Sequence, residues 1–305
     1  MNKDKLNDLI KELPSSCQSF LNYLRAENKS HNTVLNYALD LKSWIRFQFP
    51  EQQEVTTSDL EGVKLEDLYN FIGESSSTKA SASVARCCGA IKSFYRYLDK
   101  FKMIKANPSI DLSSPQIKKR LPKYLIEDDM IELMSAIKNN QNRCDSPERD
   151  YAIMLTFLST GIRLSELVNM ELKDINGDGS LTVIGKGDKD REIPLSESCQ
   201  KAITDYINVR SSNSKTLFVN KLGNKFTPNG IQQLVKKYLK MIGKDNLSTH
   251  KLRHSAISNM LQNGTDLRTL QEIAGHASLM TTQIYTHVNN QNKRNAVSNT
   301  ALARL

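Results

Sequence analysis

Apolar side chains recur with a helical period in four segments of the first hundred residues, and this pattern restricts that region to packed helices. Residues 33–47 carry one apolar face, formed by Val34, Tyr37, Ala38, Leu41, Trp44 and Ile45. Residues 79–100 carry another, formed by Val84, Cys87, Cys88, Ile91, Tyr95 and Leu98. Because residues three or four positions apart share one side of an α-helix, the sequence predicts an all-helical N-terminal domain.

A proline-rich stretch follows this helical region, with prolines at positions 108, 115 and 122. Proline cannot donate a backbone hydrogen bond, and it disfavours the helical conformation of the residue before it. We therefore predict a linker over 113–121. It separates a helical domain over 1–112 from a second domain over 122–305.

The second domain combines helices with one β-hairpin. Residues 181–184 and 191–195 have strand-forming composition and flank a charged, glycine-containing tip. Periodicity predicts helices over 197–210, 228–242, 249–263, 266–274 and 278–288. Capping residues mark their ends, with C-terminal Gly243, Gly264 and Gly275 and N-terminal Ser248, Asp266 and Ser278. The predicted fold class is mainly α with a small antiparallel β-sheet, as an all-helical domain followed by an α+β domain.

Positive charge is concentrated in two parts of the chain. The net charge is +9, and residues 79–105 carry seven basic residues against one acidic residue, while 116–305 carry 27 against 19. Such segregation suits a polyanion such as DNA or RNA. Candidate phosphate contacts lie on the helix over 79–100 and near the linker: Arg86, Lys92, Arg96, Lys100, Lys118, Lys119 and Arg120. A solvated basic face is the alternative interpretation.

The composition disfavours several other classes of protein. No run of about 18 apolar residues predicts a spanning helix, and the N-terminus has no apolar signal core, so we expect a cytoplasmic protein without a membrane partner. The five cysteines form no CxxC pair and are expected to be reduced thiols. His250 and His254 lie four residues apart, but no H-E-x-x-H pattern or nearby cysteine accompanies them, so no metal site is predicted.

Seven polar residues stand at the ends of predicted elements in the second domain. They are Arg163, Glu166, Lys186, His250, Arg253, His276 and Tyr285. Taken singly, each has an ordinary explanation, such as a helix ion pair, a solvated turn lysine or a packed aromatic ring. Their order along the chain is more informative than any one of them.

This order resembles that of the tyrosine recombinase (phage integrase) family, and the surrounding strings are similar as well. The strings are STGIR at 159–163, GKG at 185–187, HKLR at 250–253 and LQEIAGH at 270–276, which leads to YTH at 285–287. The resemblance covers nearly the whole chain, and the N-terminal helices look like the family's core-binding domain. In length and layout the chain is most similar to the Xer-type branch.

The resemblance implies a site-specific recombinase that cuts and rejoins double-stranded DNA through a 3′-phosphotyrosyl link and a Holliday junction. The implied nucleophile is Tyr285. Arg163 and Arg253 suit stabilisation of the phosphate, because a guanidinium fork holds two phosphate oxygens at once. The implied biological roles are Xer-like chromosome dimer resolution or integration and excision of a mobile element.

The remaining roles also come from the resemblance. His250 is the implied general base, Lys186 the general acid and His276 a hydrogen-bond donor to the scissile phosphate. Glu166 is expected to orient Arg163 or His250.

The implied reaction needs no ATP and no cofactor, because the phosphotyrosyl ester conserves the energy of the broken bond. The sequence agrees, since GKG at 185–187 is followed by Asp188 and is not a G-x-x-x-x-G-K-[ST] loop. It also has no obvious carboxylate cluster for two magnesium ions.

The C-terminal tail, about 289–305, is short and amphipathic. In similar recombinases such a tail packs on a neighbouring protomer, which implies a homo- or hetero-tetramer on DNA; a frayed terminus is the alternative. Two other functions remain open at this point. One is a type IB topoisomerase-like enzyme that relaxes DNA, and the other is a non-catalytic DNA-binding regulator.

Overall fold

The computed structural model describes residues 3–52, 54–115, 124–140, 145–184 and 190–275. The chain divides into two compact units, Met1–Arg120 and Leu121–Leu305, each with its own hydrophobic core. Within the described ranges the fold is mainly helical, with one two-stranded antiparallel sheet. This confirms the predicted fold class.

The first unit is all-helical. Its helices are α1 (Lys3–Lys11), α2 (Ser15–Ala26), α3 (His31–Gln48), α4 (Thr57–Gly62), α5 (Leu65–Thr78) and α6 (Ser81–Lys100). The prediction of four helical segments was too low, because a helix of six residues such as α4 is too short to show a repeat. A capping box holds its first turn, in which the side chains of Thr56 and Asp59 bond each other's backbone N–H groups.

Aromatic side chains fill the centre of the first unit. Trp44 of α3 and Tyr95 of α6 are fully buried, with ring centroids 5.7 Å apart. Phe94 packs against Trp44 from the same helix as Tyr95. The Tyr95 hydroxyl donates to the Leu60 carbonyl at 3.2 Å, which ties α4 to this core. The apolar stripes predicted from the sequence are therefore the faces that meet here.

The second unit surrounds one hairpin with helices. Its elements are α7 (Glu127–Asn139), α8 (Pro147–Thr160), α9 (Leu164–Asn169), β1 (Ser180–Ile184), β2 (Asp190–Pro194), α10 (Glu197–Val209), α11 (Pro228–Met241), α12 (Thr249–Gln262) and α13 (Leu267–Ala274). The predicted bounds of the hairpin and of the helices from 197 to 274 agree within one residue at nearly every end. The predicted helix over 278–288 and the tip of the hairpin lie outside the described residues.

The hairpin register decides which strand residues face inward. Leu181 pairs with Ile193, and Val183 pairs with Arg191. Opposite residues of an antiparallel pair share one face of the sheet. Leu181, Val183 and Ile193 are all buried, so Arg191 lies on the inward face although it is charged.

Glycines follow the helices of this unit, and N-cap residues precede them, where the sequence predicts. Gly243 and Gly264 follow α11 and α12 with φ of 66° and 92°, in the left-handed region that favours glycine. Ser248 and Asp266 are the N-caps of α12 and α13, and the Asp266 carboxylate accepts from two backbone N–H groups. Ser278 lies outside the described residues.

Three further observations concern membrane-spanning helices, metal sites and the cysteines. No helix in the described part of the chain is long and apolar enough to cross a membrane. The same residues contain no group of three or more potential metal ligands. The described cysteines are buried free thiols, at positions 17, 87, 88 and 199.

Candidate active site

Arg163 stands at the junction between α8 and α9. Gly161 ends α8 with a left-handed φ of 62°, and Arg163 is the N-cap of α9 two residues later. Its backbone N–H donates to Glu166 Oε2 at 2.8 Å, and its Nη1 donates to Glu166 Oε1 at 2.7 Å. The side chain remains 38% exposed. The turn therefore fixes the backbone of Arg163 while part of its side chain faces solvent.

Glu166 is a buried carboxylate held between two arginines. Besides Arg163, it accepts a fork from Arg191 of β2, with Nη1 to Oε1 at 3.0 Å and Nη2 to Oε2 at 2.8 Å. Burial alone would raise the pKa of Glu166, but the hydrogen bonds and charges of Arg191 and Arg163 lower it to about 2. Glu166 is therefore ionised at neutral pH and fixes both guanidinium groups.

Arg253 reaches the same place from the second turn of α12. It is buried, and its Nη1 donates to the Gly161 carbonyl at 2.6 Å while its Nη2 donates to the Ala274 carbonyl at 2.7 Å. These bonds join the end of α8 to the end of α13. Two arginines separated by 90 positions in the sequence thus meet at one structural junction.

The C-terminal end of α13 is the element that these arginines share. Three consecutive carbonyls there accept from three different guanidinium groups: Ile273 from Arg191 at 2.9 Å, Ala274 from Arg253 at 2.7 Å and Gly275 from Arg163 at 2.6 Å. The last carbonyls of a helix lack partners within the helix and carry its negative dipole end. Three cations satisfy them here.

Gly275 is required at this junction for two reasons. Its φ of 60° is left-handed, and a Cβ at this position would lie 3.0 Å from Arg191 Cζ and 3.2 Å from Arg163 Nη1. Any side chain would push into the arginines. The glycine therefore lets the helix end approach the guanidinium groups closely.

His250 lies in the first turn of α12, one turn before Arg253, and is exposed. Desolvation by neighbouring protein atoms, together with the charges of Arg253 and Lys251, lowers the pKa of His250 below its ordinary value. A neutral imidazole is the form that accepts a proton. His250 is thus suited to act as a base at neutral pH.

His254, four residues further along α12, packs in the interior of the unit. Its ring stacks on Tyr124 with centroids 5.7 Å apart, and its Nδ1 lies 3.1 Å from Ser258 Oγ. Burial, with the charge of Lys251, lowers the pKa of His254 to about 4. The ring is packed in the interior, whereas that of His250 is exposed.

The structure brings together part of the predicted set. Arg163, Glu166 and Arg253 converge at the end of α13, and His250 lies on the helix that supplies Arg253. Lys186, His276 and Tyr285 lie outside the described residues. Their predicted roles stay predictions.

Arg191 is a site residue that the sequence reasoning missed. The available signal was the alternation of β2, because Arg191 has the same parity as the inward-facing Ile193. A charged residue at an inward position of a strand needs a buried partner. That partner, Glu166, is 25 positions away and could not be identified by spacing.

The basic side chains predicted on α6 are mostly engaged within the first unit. Arg86 forms a fork on Asp40, with both bonds at 2.8 Å, and Lys92 Nζ donates to the Leu112 carbonyl at 2.8 Å. Lys100 Nζ donates to the Tyr23 hydroxyl at 3.0 Å.

Arg96 differs from these neighbours on α6. It is exposed, and its side chain forms no hydrogen bond or ion pair with any other described residue. Lys118, Lys119 and Arg120 lie outside the described residues. Contact of these basic residues with DNA stays a prediction.

Comparison with known proteins gives matches along most of the chain. The model of the phage integrase family matches residues 123–292, and that of the phage integrase N-terminal SAM-like domain matches residues 17–101. A tyrosine recombinase XerC of Caldanaerobacter subterraneus subsp. tengcongensis is 40% identical over 95% of this chain and 88% of its own. One from Thermodesulfovibrio yellowstonii is 35% identical over 88% of this chain and 90% of its own.

Solved structures show the same likeness. XerA recombinase aligns with a TM-score of 0.51 at 27% identity, covering 93% of this chain and 96% of that one. XerH site-specific recombinase, bound to a palindromic difH substrate, aligns with a TM-score of 0.76 at 22% identity, covering 98% and 89%. The second alignment is a likeness of fold.

Proposed function

The chain belongs to the phage integrase family of tyrosine recombinases, and on that premise we propose that it recombines double-stranded DNA at specific sites. Its domain matches, and relatives at up to 40% identity over most of the chain, support this function. A DNA-relaxing topoisomerase and a non-catalytic regulator are not favoured by these matches.

One observation in the structure carries the proposal. Three guanidinium groups, from Arg163, Arg191 and Arg253, meet at the end of α13, where the carboxylate of Glu166 accepts hydrogen bonds from Arg163 and Arg191. This leaves an excess of positive charge in a partly desolvated place, where electrostatic interactions are stronger than in water. A phosphodiester, which gains negative charge as it is attacked, matches that excess.

The proposed chemistry has one covalent step in each direction. The Tyr285 hydroxyl oxygen attacks phosphorus, so that an Oη–P bond forms and the P–O5′ bond breaks. His250 accepts the phenolic proton, and Lys186 donates a proton to the leaving 5′-oxygen. Rejoining reverses these steps with the 5′-hydroxyl of a second strand.

In this proposal the arginines stabilise the pentavalent transition state. Arg163 and Arg253 approach the site from different elements, so their forks can hold different non-bridging oxygens. His276, the residue after Gly275 in the sequence, is proposed to add a hydrogen bond. Because the phosphotyrosyl ester keeps the bond energy, we expect cleavage in EDTA and without nucleotide.

We further propose that four protomers assemble on two duplexes through the tail at 289–305. Deleting residues 291–305 should then weaken pairing of two sites more than binding to one site. Gel-shift assays with one duplex and with two separate these effects. Equal loss of both would contradict docking of the tail on a neighbour.

Covalent capture tests the central proposal. The protein is incubated with a pool of nicked duplexes with randomised arms, in which the short 5′-hydroxyl fragment escapes and prevents rejoining. We expect a denaturation-resistant adduct that maps to Tyr285 and is absent from Tyr285→Phe. Absence of the adduct, or its persistence in Tyr285→Phe, would contradict the mechanism.

The recovered duplex then distinguishes recombination from relaxation. A plasmid with two copies should yield a deletion or an inversion. Relaxation of plasmids that lack the site, without recombination, would indicate a topoisomerase instead.

A further inference from the structure

Arg191 is fully engaged within the protein. Its Nε donates to the Ile273 carbonyl at 2.9 Å, and its Nη1 and Nη2 donate to the two oxygens of Glu166 at 3.0 and 2.8 Å. Its side chain is 12% exposed, compared with 38% for Arg163. Arg191 therefore faces the protein, whereas part of the Arg163 side chain is open to solvent.

We propose that Arg191 is a positioning residue for DNA cleavage: it neutralises Glu166, so that the charge of Arg163 remains available to the scissile phosphate. This inference rests on the proposed function. It goes further by giving a role to a residue that does not itself touch the phosphate.

The hydrogen bonds of Glu166 show how the charge is divided. Each carboxylate oxygen accepts one bond from Arg191 and one from Arg163. With its side chain only 7% exposed, Glu166 needs a balancing cation. While Arg191 supplies that cation, Arg163 retains its other donors for an anion from solvent. Without Arg191, Arg163 alone would have to neutralise the carboxylate, and its fork would turn toward Glu166.

The second contribution of Arg191 is to the end of α13. Its bond to Ile273 is the first of three consecutive carbonyl contacts, and the next two carbonyls accept from Arg253 and Arg163. The other two bonds remain when the first is lost, and the close approach of Gly275 to Arg191 leaves the turn little room to shift. This contribution is therefore smaller than the neutralisation of Glu166.

Removing the charges of Arg191 and Glu166, singly and together, tests this proposal. Single-turnover cleavage of the captured nicked duplex is measured for wild type, Arg191→Met, Glu166→Gln and the double variant. We expect Arg191→Met to slow cleavage by about 10- to 100-fold. Its equilibrium affinity for the duplex should stay within about threefold, because Arg191 itself does not touch the phosphate.

The double variant separates positioning from a merely structural role. Removing the charge of Glu166 also removes the charge that Arg191 balances, so adding Arg191→Met to Glu166→Gln should change the rate less than about threefold. A structural role predicts that the double variant cleaves more slowly than either single variant. This comparison within the Glu166→Gln background also decides the question should Arg191→Met alone fail to fold.

Two controls complete the experiment. Arg268→Met removes one positive charge from the exposed face of α13 and should cleave at the wild-type rate. Arg191→Lys keeps the charge but cannot form the fork, and should fall between wild type and Arg191→Met.

The outcomes keep the two proposals apart. Absence of any wild-type adduct contradicts the proposed function. A wild-type adduct with an unimpaired Arg191→Met, or with losses that multiply in the double variant, overturns the positioning role alone.

Discussion

Both units carry basic side chains that the sequence predicts as phosphate contacts, but the two sets are built differently. On α6 the charges are used singly, with Arg86 on the carboxylate of Asp40 and Lys92 on a backbone carbonyl. At the end of α13, three arginines bond three consecutive carbonyls, and two of them, Arg163 and Arg191, also bond the carboxylate of Glu166. In the first arrangement each basic side chain has a separate partner, whereas the second accumulates positive charge at one point.

The difference teaches that counting basic residues on a helix face does not locate a phosphate site. What distinguishes the second unit is convergence: cations from α9, β2 and α12 meet where a helix ends. Backbone carbonyls hold these cations without neutralising them, because a carbonyl carries no net charge. An anion that enters this place finds its partners already oriented, which reduces the cost of reorganisation during catalysis.

The largest expected effect, on the rate of cleavage, tests whether bidentate contacts of the arginines stabilise the phosphate during the reaction. Arg163→Lys and Arg253→Lys should each slow formation of the covalent adduct by about 100- to 1000-fold, because lysine keeps the charge but loses bidentate contact. Single-turnover cleavage of the captured duplex measures this. Arg86→Lys is the matched control in the first unit and should be nearly neutral. A comparable loss in Arg86→Lys would erase the distinction between the two regions.

The next largest effect concerns the pH dependence of cleavage and His250, the general base proposed one turn before Arg253. His250 must be neutral to accept the proton, and its lowered pKa keeps it neutral at pH 7. The cleavage rate should therefore fall only as the pH drops through that lowered pKa, below the ordinary value of 6.5. His250→Gln should remove this acid limb and slow cleavage by about 100-fold.

The exposed His31 provides the control for this pH dependence. His31→Gln should leave both the rate and the acid limb unchanged. An acid limb that persists in His250→Gln would assign the base to another group.

The sequence predicts what local chemistry determines. Left-handed glycines such as Gly275, caps such as Asp266 and the alternation of the hairpin all act over a few residues, and the structure bears them out. The likeness to a known family supplied Arg163, Glu166 and Arg253, which the fold brings together. The family order, rather than helical spacing, made these residues recognisable.

What sequence reasoning missed depends on contacts between distant segments. The periodicity of α6 places Arg86 on a polar face, but it does not reveal Asp40, which lies 46 positions earlier on α3. Arg191 likewise finds Glu166 only after the hairpin packs against α9 and α13. Charge pairing across such separations is set by tertiary packing, and a single sequence carries no direct record of it.

A smaller expected effect, on the free energy of unfolding, tests whether Arg86 stabilises the first unit. Arg86→Met leaves the Asp40 carboxylate, whose side chain is 7% exposed, without its fork, and should lower the free energy of unfolding by about 1–3 kcal/mol. Fluorescence of Trp44, the only tryptophan of the chain, reports urea unfolding of the first unit. The double variant Arg86→Met and Asp40→Asn should recover part of the loss. Unchanged stability in Arg86→Met would mean that the pair with Asp40 does not stabilise the fold. Arg86 would then again be a candidate phosphate contact.

The smallest expected effect concerns the contribution of Arg96 to DNA affinity. Arg96 is exposed on the same helix as Arg86 and has no ion-pair partner among the described residues, so a phosphate is free to take that place. Each phosphate contact releases about one counterion, so Arg96→Gln should reduce the slope of log affinity against log salt by about 1. Fluorescence anisotropy of the captured duplex at several salt concentrations measures the slope, with Arg86→Gln as the matched control. An equal loss in both variants would mean that DNA binding displaces Asp40 from Arg86, and α6 would then resemble the arginine cluster at α13 more closely than its own contacts indicate.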